Sequence, residues 1–570
     1  MSMHRQRASS RTVFGLGAVV AAVGALGALT SAHAAGFAQP PVPAIGTRTV
    51  ASADLYVKRP STTPCTVPLF ANVDFIGFTP TVLNYAPPAG CAGPWAKVVL
   101  TADYDVSVGR QFDRTAVINL DGVNLYFGTT MEPGSATARA WHVERDVTDL
   151  SALFKTAQTG EAILGNIVDG TYTGHIHGSA SLVFYPAGAG APAAPTPHAV
   201  IPLAASLTAL SPTNPTLSSS VTLPRNTERL YLDLIAQSQA SDEFWYTCVP
   251  DADASVLQSC GGTAFREVEV SIDGTPAGVA GVFPWIYTGG ISPYMWEPVP
   301  GVQTLSFEPS RVDLTPFAGL LDDGQPHTVA VQVFGAQNNF SVTGSLLAFT
   351  DAGAKTLSGS VTQNTLAAPT VKVVDKGLVV NGDNVHGKVF VSSERDYAIT
   401  GTLDTSHGPV TTTVAAHVAF HNTQSFGIND SKYVQDITQN TDIKTTTTTV
   451  DSRGTTTRST HSFWPLTVNL KETLSGNDVV LDTGISQTRK DVTRGTNADG
   501  TTWFQHYENT VAPHATTTFD ESTGASSVSD MTSSQHLVRR DSGVGCYDRT
   551  ISVAANAVTA VVDGCTGATK

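Results

Sequence analysis

Residues 112–122 read FDRTAVINLDG, and residues 265–274 read FREVEVSIDG. In each segment an aromatic residue and an arginine precede a run of mostly apolar and β-branched residues that ends in Asp-Gly. Such runs are typical of short β-strands, and Asp-Gly is typical of a two-residue hairpin turn. The sequence therefore predicts the same strand and turn twice. We interpret Asp121 and Asp273, which precede the two glycines, as structural turn residues.

The likeness between the two segments continues downstream. Residues 146–148 read DVT and residues 313–315 read DLT, and an apolar strand follows each, ending near Tyr185 and Phe349 respectively. An Ala/Gly/Pro-rich linker over residues 187–197 separates the two series. An ordered repeat of this kind predicts two copies of one β-domain.

Composition supports a β-rich exported protein and excludes some partners. Charged residues make up only 14% of the 570 residues, against about 25% for an average soluble protein. The 33 basic residues face 48 acidic residues, for a net charge of −15. Because phosphate binding needs clustered positive charge, we expect no nucleic-acid partner.

A third region begins at about residue 353, where Thr-rich stretches such as 445–449 appear. A glycosylated stalk is one interpretation of such stretches. Strands are favoured because proline is rare there and apolar residues recur. We therefore expect an all-β chain with domains at 35–190, 191–352 and 353–570, the last a Thr-rich antiparallel β region.

The first residues have the pattern of an export signal. Arginines precede an apolar run over 13–29, and Ala-His-Ala at 32–34 fits a signal-peptidase site. We predict a signal peptide over residues 1–34 and a secreted or periplasmic protein, with a membrane anchor as the alternative. After cleavage we expect no membrane association.

Six cysteines follow the predicted cleavage site, and export favours disulfides. Fifteen connectivities are compatible with six cysteines. Pairing between neighbours is the simplest, and it joins Cys65 to Cys91, Cys248 to Cys260 and Cys546 to Cys565. No C-x-x-C is present, and His175 and His177 lack an evident third ligand, so we expect no metal and no cofactor.

The residues suited to chemistry are carboxylates beside aromatic and arginine side chains. Asp113 precedes Arg114, residues 242–246 read DEFWY, and residues 287–296 read YTGGISPYMW. Aromatic faces stack on sugar rings, and carboxylates and arginine bond to sugar hydroxyls and amides. A buried carboxylate is also a common general base. These residues indicate a carbohydrate-active or carbohydrate-binding protein.

Around these residues the chain resembles the peptide:N-glycosidase A family, acid-active amidases of plants, fungi and some bacteria; we take the chain for a bacterial-type member. The resemblance extends from about residue 56 to 351. Its matching segments are 109–114, 131–133, 141–148, 165–174, 242–246, 265–274, 283–293 and 313–317. The chain departs from the family pattern at His175-Ile176-His177.

A more distant resemblance is to the flavobacterial peptide:N-glycosidases, which fold as two eight-stranded jelly rolls. Their aromatic-Asp-Arg motif, whose aspartate is catalytic, matches residues 112–114, and a Leu-Pro-x-Asn-Thr-Glu run matches residues 223–228. The resemblance implies two tandem jelly-roll β-sandwiches and a catalytic Asp113. It also implies a second catalytic glutamate, for which we choose Glu243, with Asp242 and Glu267 in reserve.

The resemblance implies that the chain removes N-linked glycans from glycopeptides and glycoproteins. It would hydrolyse the glycosylasparagine side-chain amide, giving aspartate and a 1-amino oligosaccharide. We separately expect the protein to be a monomer. We expect arginines to orient the carboxylates and aromatic rings to line a glycan cleft. The candidate substrate-binding residues are Arg114, Glu132, Asp169, Tyr172, Trp245, Arg266, Tyr287 and Trp296. The alternatives are a non-catalytic glycan-binding protein and an endo-type glycoside hydrolase.

Overall fold

The computed structural model describes residues 36–133 and 137–565. The predicted signal peptide lies outside these residues. Regular structure is nearly all antiparallel β, which confirms the predicted fold class. The short helices are α1 (Asp251–Ala254), α2 (Ala318–Leu321) and single 3₁₀ turns at Thr148–Leu150, Leu153–Lys155, Ala240–Asp242, Trp245–Thr247, Pro293–Trp296 and Thr315–Phe317.

The first group of strands forms a jelly roll. Its strands are β1 (Cys65–Phe75), β2 (Thr81–Tyr85), β3 (Trp95–Val106), β4 (Thr115–Leu120), β5 (Val123–Thr129), β6 (Arg139–Asp146), β7 (Gln158–Leu164) and β8 (Ile176–Pro186). Two sheets, with strand orders β1-β8-β3-β6 and β2-β7-β4-β5, share one apolar core. Alternating burial along β3 and β8 places one face of their sheet on that core.

The second group repeats the first. Its strands are β9 (Ala199–Pro202), β10 (Thr208–Leu210), β11 (Thr216–Val221), β12 (Thr227–Gln239), β13 (Glu267–Ile272), β14 (Thr275–Gly281), β15 (Ser310–Asp313), β16 (His327–Phe334) and β17 (Asn339–Thr350). The sheet orders are β10-β17-β12-β15, with β9 added beside β17, and β11-β16-β13-β14. Counted from β10, this is the order of the first jelly roll, so the predicted repeat is confirmed.

The two copies also agree in local conformation. Asp121 and Asp273 both have φ of 48°, and the glycines that follow have φ of 76° and 77°. Asp and Gly tolerate this left-handed conformation better than most residues, which explains the shared Asp-Gly. After β6 and β15, the aspartate of each Asp-x-Thr segment accepts the threonine backbone N–H at 3.1 Å.

The third group is one large antiparallel sheet. Its strands are β18 (Ser358–Asn364), β19 (Lys372–Asn381), β20 (Asn384–Thr405), β21 (Gly408–Asn429), β22 (Lys432–Asp451), β23 (Gly454–Ser475), β24 (Asp478–Thr496), β25 (Thr502–Val511), β26 (His514–Asp520), β27 (Ala525–Asp541), β28 (Gly545–Ala554) and β29 (Ala557–Asp563). The Thr-rich residues 445–449 lie within β22, so they form a strand and not a stalk.

This C-terminal sheet covers the second jelly roll and shares its core. Phe420 lies 5.2 Å from Phe265, and Trp464 lies 5.5 Å from Phe283, measured between ring centres. Because the strand grouping changes between β8 and β9 and between β17 and β18, we propose the domains 35–190, 191–352 and 353–570.

Three disulfides join Cys65 to Cys91, Cys248 to Cys260 and Cys546 to Cys565. The neighbour pairing predicted from the sequence is thereby confirmed. Within residues 36–133 and 137–565, no helix has the length and apolar character needed to cross a membrane.

Candidate active site

Asp113 lies at the junction of the two jelly rolls, immediately before β4. Its Oδ2 accepts the backbone N–H of Gly289 at 3.1 Å, from the loop between β14 and β15. The neighbouring Thr288 hydroxyl donates to the Thr130 carbonyl at 2.8 Å and accepts the Glu132 N–H at 3.0 Å. These bonds fix the second-copy loop against the first-copy segment that flanks Asp113.

The surroundings of Asp113 favour the protonated, neutral carboxyl more strongly than bulk water would. Burial raises the pKa of this carboxyl, and the Gly289 N–H and the charge of Arg114 lower it by smaller amounts. Arg114 is held by its bond to the Gln111 side chain, Nη2 to Oε1, at 2.7 Å. It therefore acts on Asp113 through its charge, and the described bond of its guanidinium goes to Gln111 and not to that carboxyl.

Glu132 is a second carboxyl on the same face of the Gly289 loop. It accepts the backbone N–H of Asp113, yet burial and the negative charge of Asp113 raise its pKa to about 8. A Cβ atom on residue 289 would collide with Glu132 Oε2 and lie 2.9 Å from Asp113 Oδ1. The close approach of both carboxyls thus requires glycine at this position.

Glu243 brings a third carboxyl from the second jelly roll, at the end of the 3₁₀ turn that follows β12. Burial and then the charge of Asp113 raise its pKa to about 7. Asp113, Glu132 and Glu243 therefore form an interacting group contributed by both copies, which we call the junction carboxyls. Several interacting groups with shifted pKa values are a mark of a functional site.

The C-terminal sheet positions the segment that carries Glu243. On its buried inner face, Asn422 donates to the Tyr246 carbonyl at 3.0 Å, and Gln424 donates to the Cys248 carbonyl at 2.9 Å. Gln435 adjoins them and donates to the Gln424 side chain at 2.7 Å. These buried amides bond to one another and to the segment, which fixes its backbone.

The same sheet also holds the loop that carries Gly289. Gln487 donates to the Pro284 carbonyl at 2.6 Å and accepts the Val302 N–H at 3.0 Å. Gln487 is fully buried. The C-terminal sheet thus fixes both second-copy segments that reach the junction carboxyls, although the described contacts of Asp113 itself involve the jelly rolls.

The two reserve catalytic residues lie in structural contacts. Asp242 is fully buried, pairs with Arg266 at 3.0 Å and accepts the backbone N–H groups of residues 337–339. Its oxygens are therefore occupied, and Arg266 orients Asp242 and not a junction carboxyl. Glu267 is buried against Arg395 of the C-terminal sheet. Burial raises the pKa of Glu267 to about 7, but its partners lie outside the junction.

Three aromatic residues expected to line a glycan cleft are instead buried. Trp245 and Trp296 have no exposed surface, and Trp296 Nε1 donates to the Gly290 carbonyl at 2.8 Å. The Tyr287 hydroxyl donates to the Ser238 carbonyl at 2.6 Å. The expectation for these rings is corrected: no ring face is open to a sugar, because the core and the C-terminal sheet cover them. These rings stabilise the site as part of the apolar core.

The aromatic side chains open to solvent beside Asp113 are Phe112 and Tyr172. Phe112 is 42% exposed and lies 5.4 Å from the Tyr172 ring, over which Arg110 is placed at 5.4 Å. The exposed Asp169 accepts the N–H groups of Thr171 and Tyr172 at 2.7 and 2.8 Å, which lowers its pKa. Asp169 therefore shapes the turn that presents Tyr172 and is not one of the junction carboxyls.

A family model described as peptide N-acetyl-beta-D-glucosaminyl asparaginase amidase A matches residues 57–366. The chain belongs to this family. The matched residues include all three junction carboxyls and Gly289. Membership in the peptide:N-glycosidase A family confirms the resemblance read from residues 56–351.

Known proteins similar to this family member fall into two groups. The peptide-N4-(N-acetyl-beta-glucosaminyl)asparagine amidase A of Prunus dulcis is 29% identical over 398 residues, which is 65% of this chain and 68% of that protein. Among solved structures, the glycosylasparaginase PNGase F of Flavobacterium meningosepticum is 13% identical with a TM-score of 0.34, over 50% of this chain and 96% of that chain. PNGF-II is 13% identical with a TM-score of 0.36, over 50% and 66%.

Sequence reasoning missed several functional contacts of this peptide:N-glycosidase A family member. Gly289 was visible only as part of a double-glycine turn, and its need for close approach depends on carboxyls far away in the chain. The sequence identifies Phe112 as part of the aromatic-Asp-Arg motif but does not predict that its ring is exposed. The amides of Gln424 and Gln487 lie in unremarkable polar sequence, and no sequence signal distinguished them.

Proposed function

We propose that this chain hydrolyses the amide between an asparagine side chain and the first N-acetylglucosamine of an N-linked glycan. The observation that carries the proposal is the meeting of Asp113 with Glu132 and Glu243 at the junction of the jelly rolls. Family membership supports the choice of bond. The products would be aspartate in the peptide and a 1-amino oligosaccharide.

In the first step, Asp113 acts as the general base. Its ionised carboxylate accepts a proton from water, and the water oxygen bonds to the asparagine side-chain carbonyl carbon. Because burial raises the pKa of Asp113, the carboxylate is a stronger base than an exposed aspartate. The Gly289 N–H keeps one carboxylate oxygen in place during this transfer.

The tetrahedral intermediate carries an oxyanion that needs a hydrogen-bond donor. Glu132, with a pKa of about 8, is mostly protonated at neutral pH and supplies such a donor. This role resembles that of other carboxylic acids kept neutral by burial so that they can donate.

In the second step, Glu243 acts as the general acid. With a pKa of about 7, it retains a proton in mildly acidic solution and transfers it to the sugar nitrogen as the carbon–nitrogen bond breaks. The nitrogen leaves with the sugar, and the side chain remains as aspartic acid. Glu243 is then reprotonated from solvent, and Asp113 loses its proton.

The exposed rim beside Asp113 offers contacts for the substrate. Phe112 and Tyr172 present apolar ring surface, and Arg110 adds a hydrogen-bond donor beside it. Aromatic rings of this kind stack on sugars, so we assign the rim to the first N-acetylglucosamine units.

The pKa values also set the pH range of the reaction. Asp113 must be ionised and Glu243 protonated, so the rate should fall when pH rises above about 7. The resemblance leads us to expect activity under mildly acidic conditions, and a rate that falls at alkaline pH agrees with that expectation.

The setting we propose is extracytoplasmic. Three disulfides require an oxidising compartment, which supports a secreted or periplasmic protein. We propose that it meets glycopeptides and glycoproteins there as a monomer.

The test is mass spectrometry of a defined N-glycopeptide treated in oxygen-18 water. Conversion of asparagine to aspartate with one heavy oxygen is the expected result, because water attacks the side-chain carbonyl. A peptide that keeps one N-acetylglucosamine would instead identify an endo-type glycoside hydrolase. An unchanged glycopeptide that stays bound to the protein would identify a glycan-binding protein.

A further inference from the structure

Two histidines at the edge of the first jelly roll acquire a third partner in the fold. His175 precedes β8, His177 lies within it, and Asp74 lies near the end of β1. Asp74 is the direct cross-strand neighbour of His177. From the sequence the two histidines lacked a third ligand, because Asp74 is about a hundred residues away along the chain.

The ligand atoms of these three residues converge on one point. Asp74 Oδ1 lies 3.3 Å from His175 Nδ1 and 3.8 Å from His177 Nε2, and Asp74 Oδ2 lies 3.0 Å from His175 Nδ1. The three ligand atoms lie within 4.8 Å of one another. In a tetrahedral zinc site with bonds near 2.0 Å, two ligand atoms are about 3.3 Å apart. The two separations from Asp74 Oδ1, 3.3 and 3.8 Å, lie at and somewhat above that distance.

Asp105 provides the outer contact that metal-binding histidines usually have. On β3, it is the neighbour of His177 on the other side of β8, and its Oδ1 lies 3.0 Å from His177 Nδ1. A proton on Nδ1 donated to Asp105 leaves the Nε2 lone pair facing Asp74. Such carboxylate–histidine pairs fix the tautomer and orientation of metal ligands.

We propose that Asp74, His175 and His177 bind a divalent transition-metal ion, for which Zn²⁺ is the probe, with Asp105 as the orienting residue. Imidazole and carboxylate ligands suit zinc, copper and nickel. Three protein ligands leave one tetrahedral position for water. The side chains of Asp74 and both histidines are 37–38% exposed, so the ion exchanges with solution.

A bound ion would stabilise the backbone contact between His175 and Ser107, which supports the loop leading to Asp113. The backbone carbonyl of His175 accepts the N–H of Ser107 at 2.8 Å, and its N–H donates to the Ser107 hydroxyl at 2.9 Å. Ser107 follows β3 and begins the loop that leads to Asp113. A bound ion would therefore join β1 to β8 beside that loop. This proposal does not depend on the reaction that the junction carboxyls catalyse.

The experiment is calorimetric titration of the tag-free, metal-stripped protein with zinc chloride at neutral pH. We expect one zinc ion per chain and a melting temperature that rises with zinc. His175→Ala and His177→Ala should each weaken binding about a hundredfold. Asp105→Asn should weaken it about tenfold, as loss of an outer-shell partner does.

The matched control is His536→Ala. His536 is also an exposed histidine, 3.0 Å from Asp548, but among the described residues it belongs to no group of three candidate metal ligands. Zinc binding should be unchanged in this variant. The proposal is overturned if the protein takes up no stoichiometric zinc, or if His175→Ala and His177→Ala bind zinc as the control does; the contacts would then be ion pairs alone.

Discussion

The two jelly rolls share strand order, hairpin turns and Asp-x-Thr segments, yet only the first copy presents a carboxyl before its fourth strand. When the Asp-Gly turns are aligned, Asp113 corresponds to Phe265, and Arg114 corresponds to Arg266. Phe265 packs into the core against Phe420 of the C-terminal sheet.

The difference follows from what covers each copy. The C-terminal sheet packs on the second jelly roll, so its position before β13 is filled by an apolar ring. At the corresponding place the first jelly roll contacts the Gly289 loop and the end of β12, and Asp113 is half-buried beside the exposed Phe112. The same fold therefore carries the candidate site in the first copy and a buried supporting ring in the second. Function depends on the residues at such positions and not on the fold alone.

The largest predicted effect distinguishes two aspartates of the first copy, Asp113 and Asp121. Asp113→Asn should lower kcat about a thousandfold, as loss of a general base does, without lowering the melting temperature. Asp121→Asn is the control, because asparagine also accepts the left-handed turn. Rates on a glycopeptide and thermal melts check this, and comparable rates in the two variants would remove Asp113 from catalysis.

Substitutions of the two neighbouring acids of the second copy, Asp242 and Glu243, should have different effects on activity and stability. Glu243→Gln should lower kcat about a hundredfold without loss of stability in urea unfolding, because burial raises the pKa of Glu243 and a neutral side chain is tolerated there. Asp242→Asn should instead destabilise the protein by about 3 kcal/mol, since Arg266 would be left buried without its counter-charge. The reverse pattern of activity and stability would show that Asp242 is the catalytic acid.

Gly289→Ala tests the contact between the copies. The added Cβ would displace Glu132 and Asp113, so we expect kcat to fall about tenfold or more through misplaced carboxyls. Gly170→Ala is the control, because no atom lies within 4 Å of a Cβ there. Equal rates for the two variants would contradict the placement of the carboxyls.

Glu132→Gln should change how stability depends on pH. The pKa of Glu132 is raised from its ordinary value of 4.5 to about 8. Its contribution to the free energy of unfolding is therefore present below pH 4.5 and is lost as the pH rises through about 8. The variant should therefore melt a few degrees above the wild type near pH 9, with the difference shrinking in acid. A constant difference between the two melting curves would contradict the raised pKa.

The smallest effect concerns the exposed rim. Tyr172→Ala should raise KM about threefold to tenfold, with kcat and stability nearly unchanged, because one stacking face is lost. Trp245→Ala should instead cost about 3–5 kcal/mol of stability, as for other large buried rings. Steady-state kinetics and urea unfolding distinguish these roles, and an unaltered KM would remove Tyr172 from the substrate contacts.

Local sequence predicted the elements that depend on local chemistry. The Asp-Gly hairpins, the Thr-rich strands, the neighbour disulfides and the place of Asp113 before β4 all follow from short segments. Burial of Trp245 and Trp296 depends on the C-terminal sheet, which begins at Ser358, 113 residues after Trp245 and 62 residues after Trp296. The separate roles of Asp242 and Glu243 depend on a 3₁₀ turn that directs adjacent side chains to different neighbours.

The central claim is that an ionised Asp113 and a protonated Glu243, both with raised pKa values, act together at the junction. The pH dependence of kcat/KM on a glycopeptide tests it most directly. We predict a bell-shaped profile, with a limb that falls through about 7 on the alkaline side and an acid limb above the ordinary aspartate value of 3.8. A rate that stays constant from about pH 5 to about pH 9 would contradict the account.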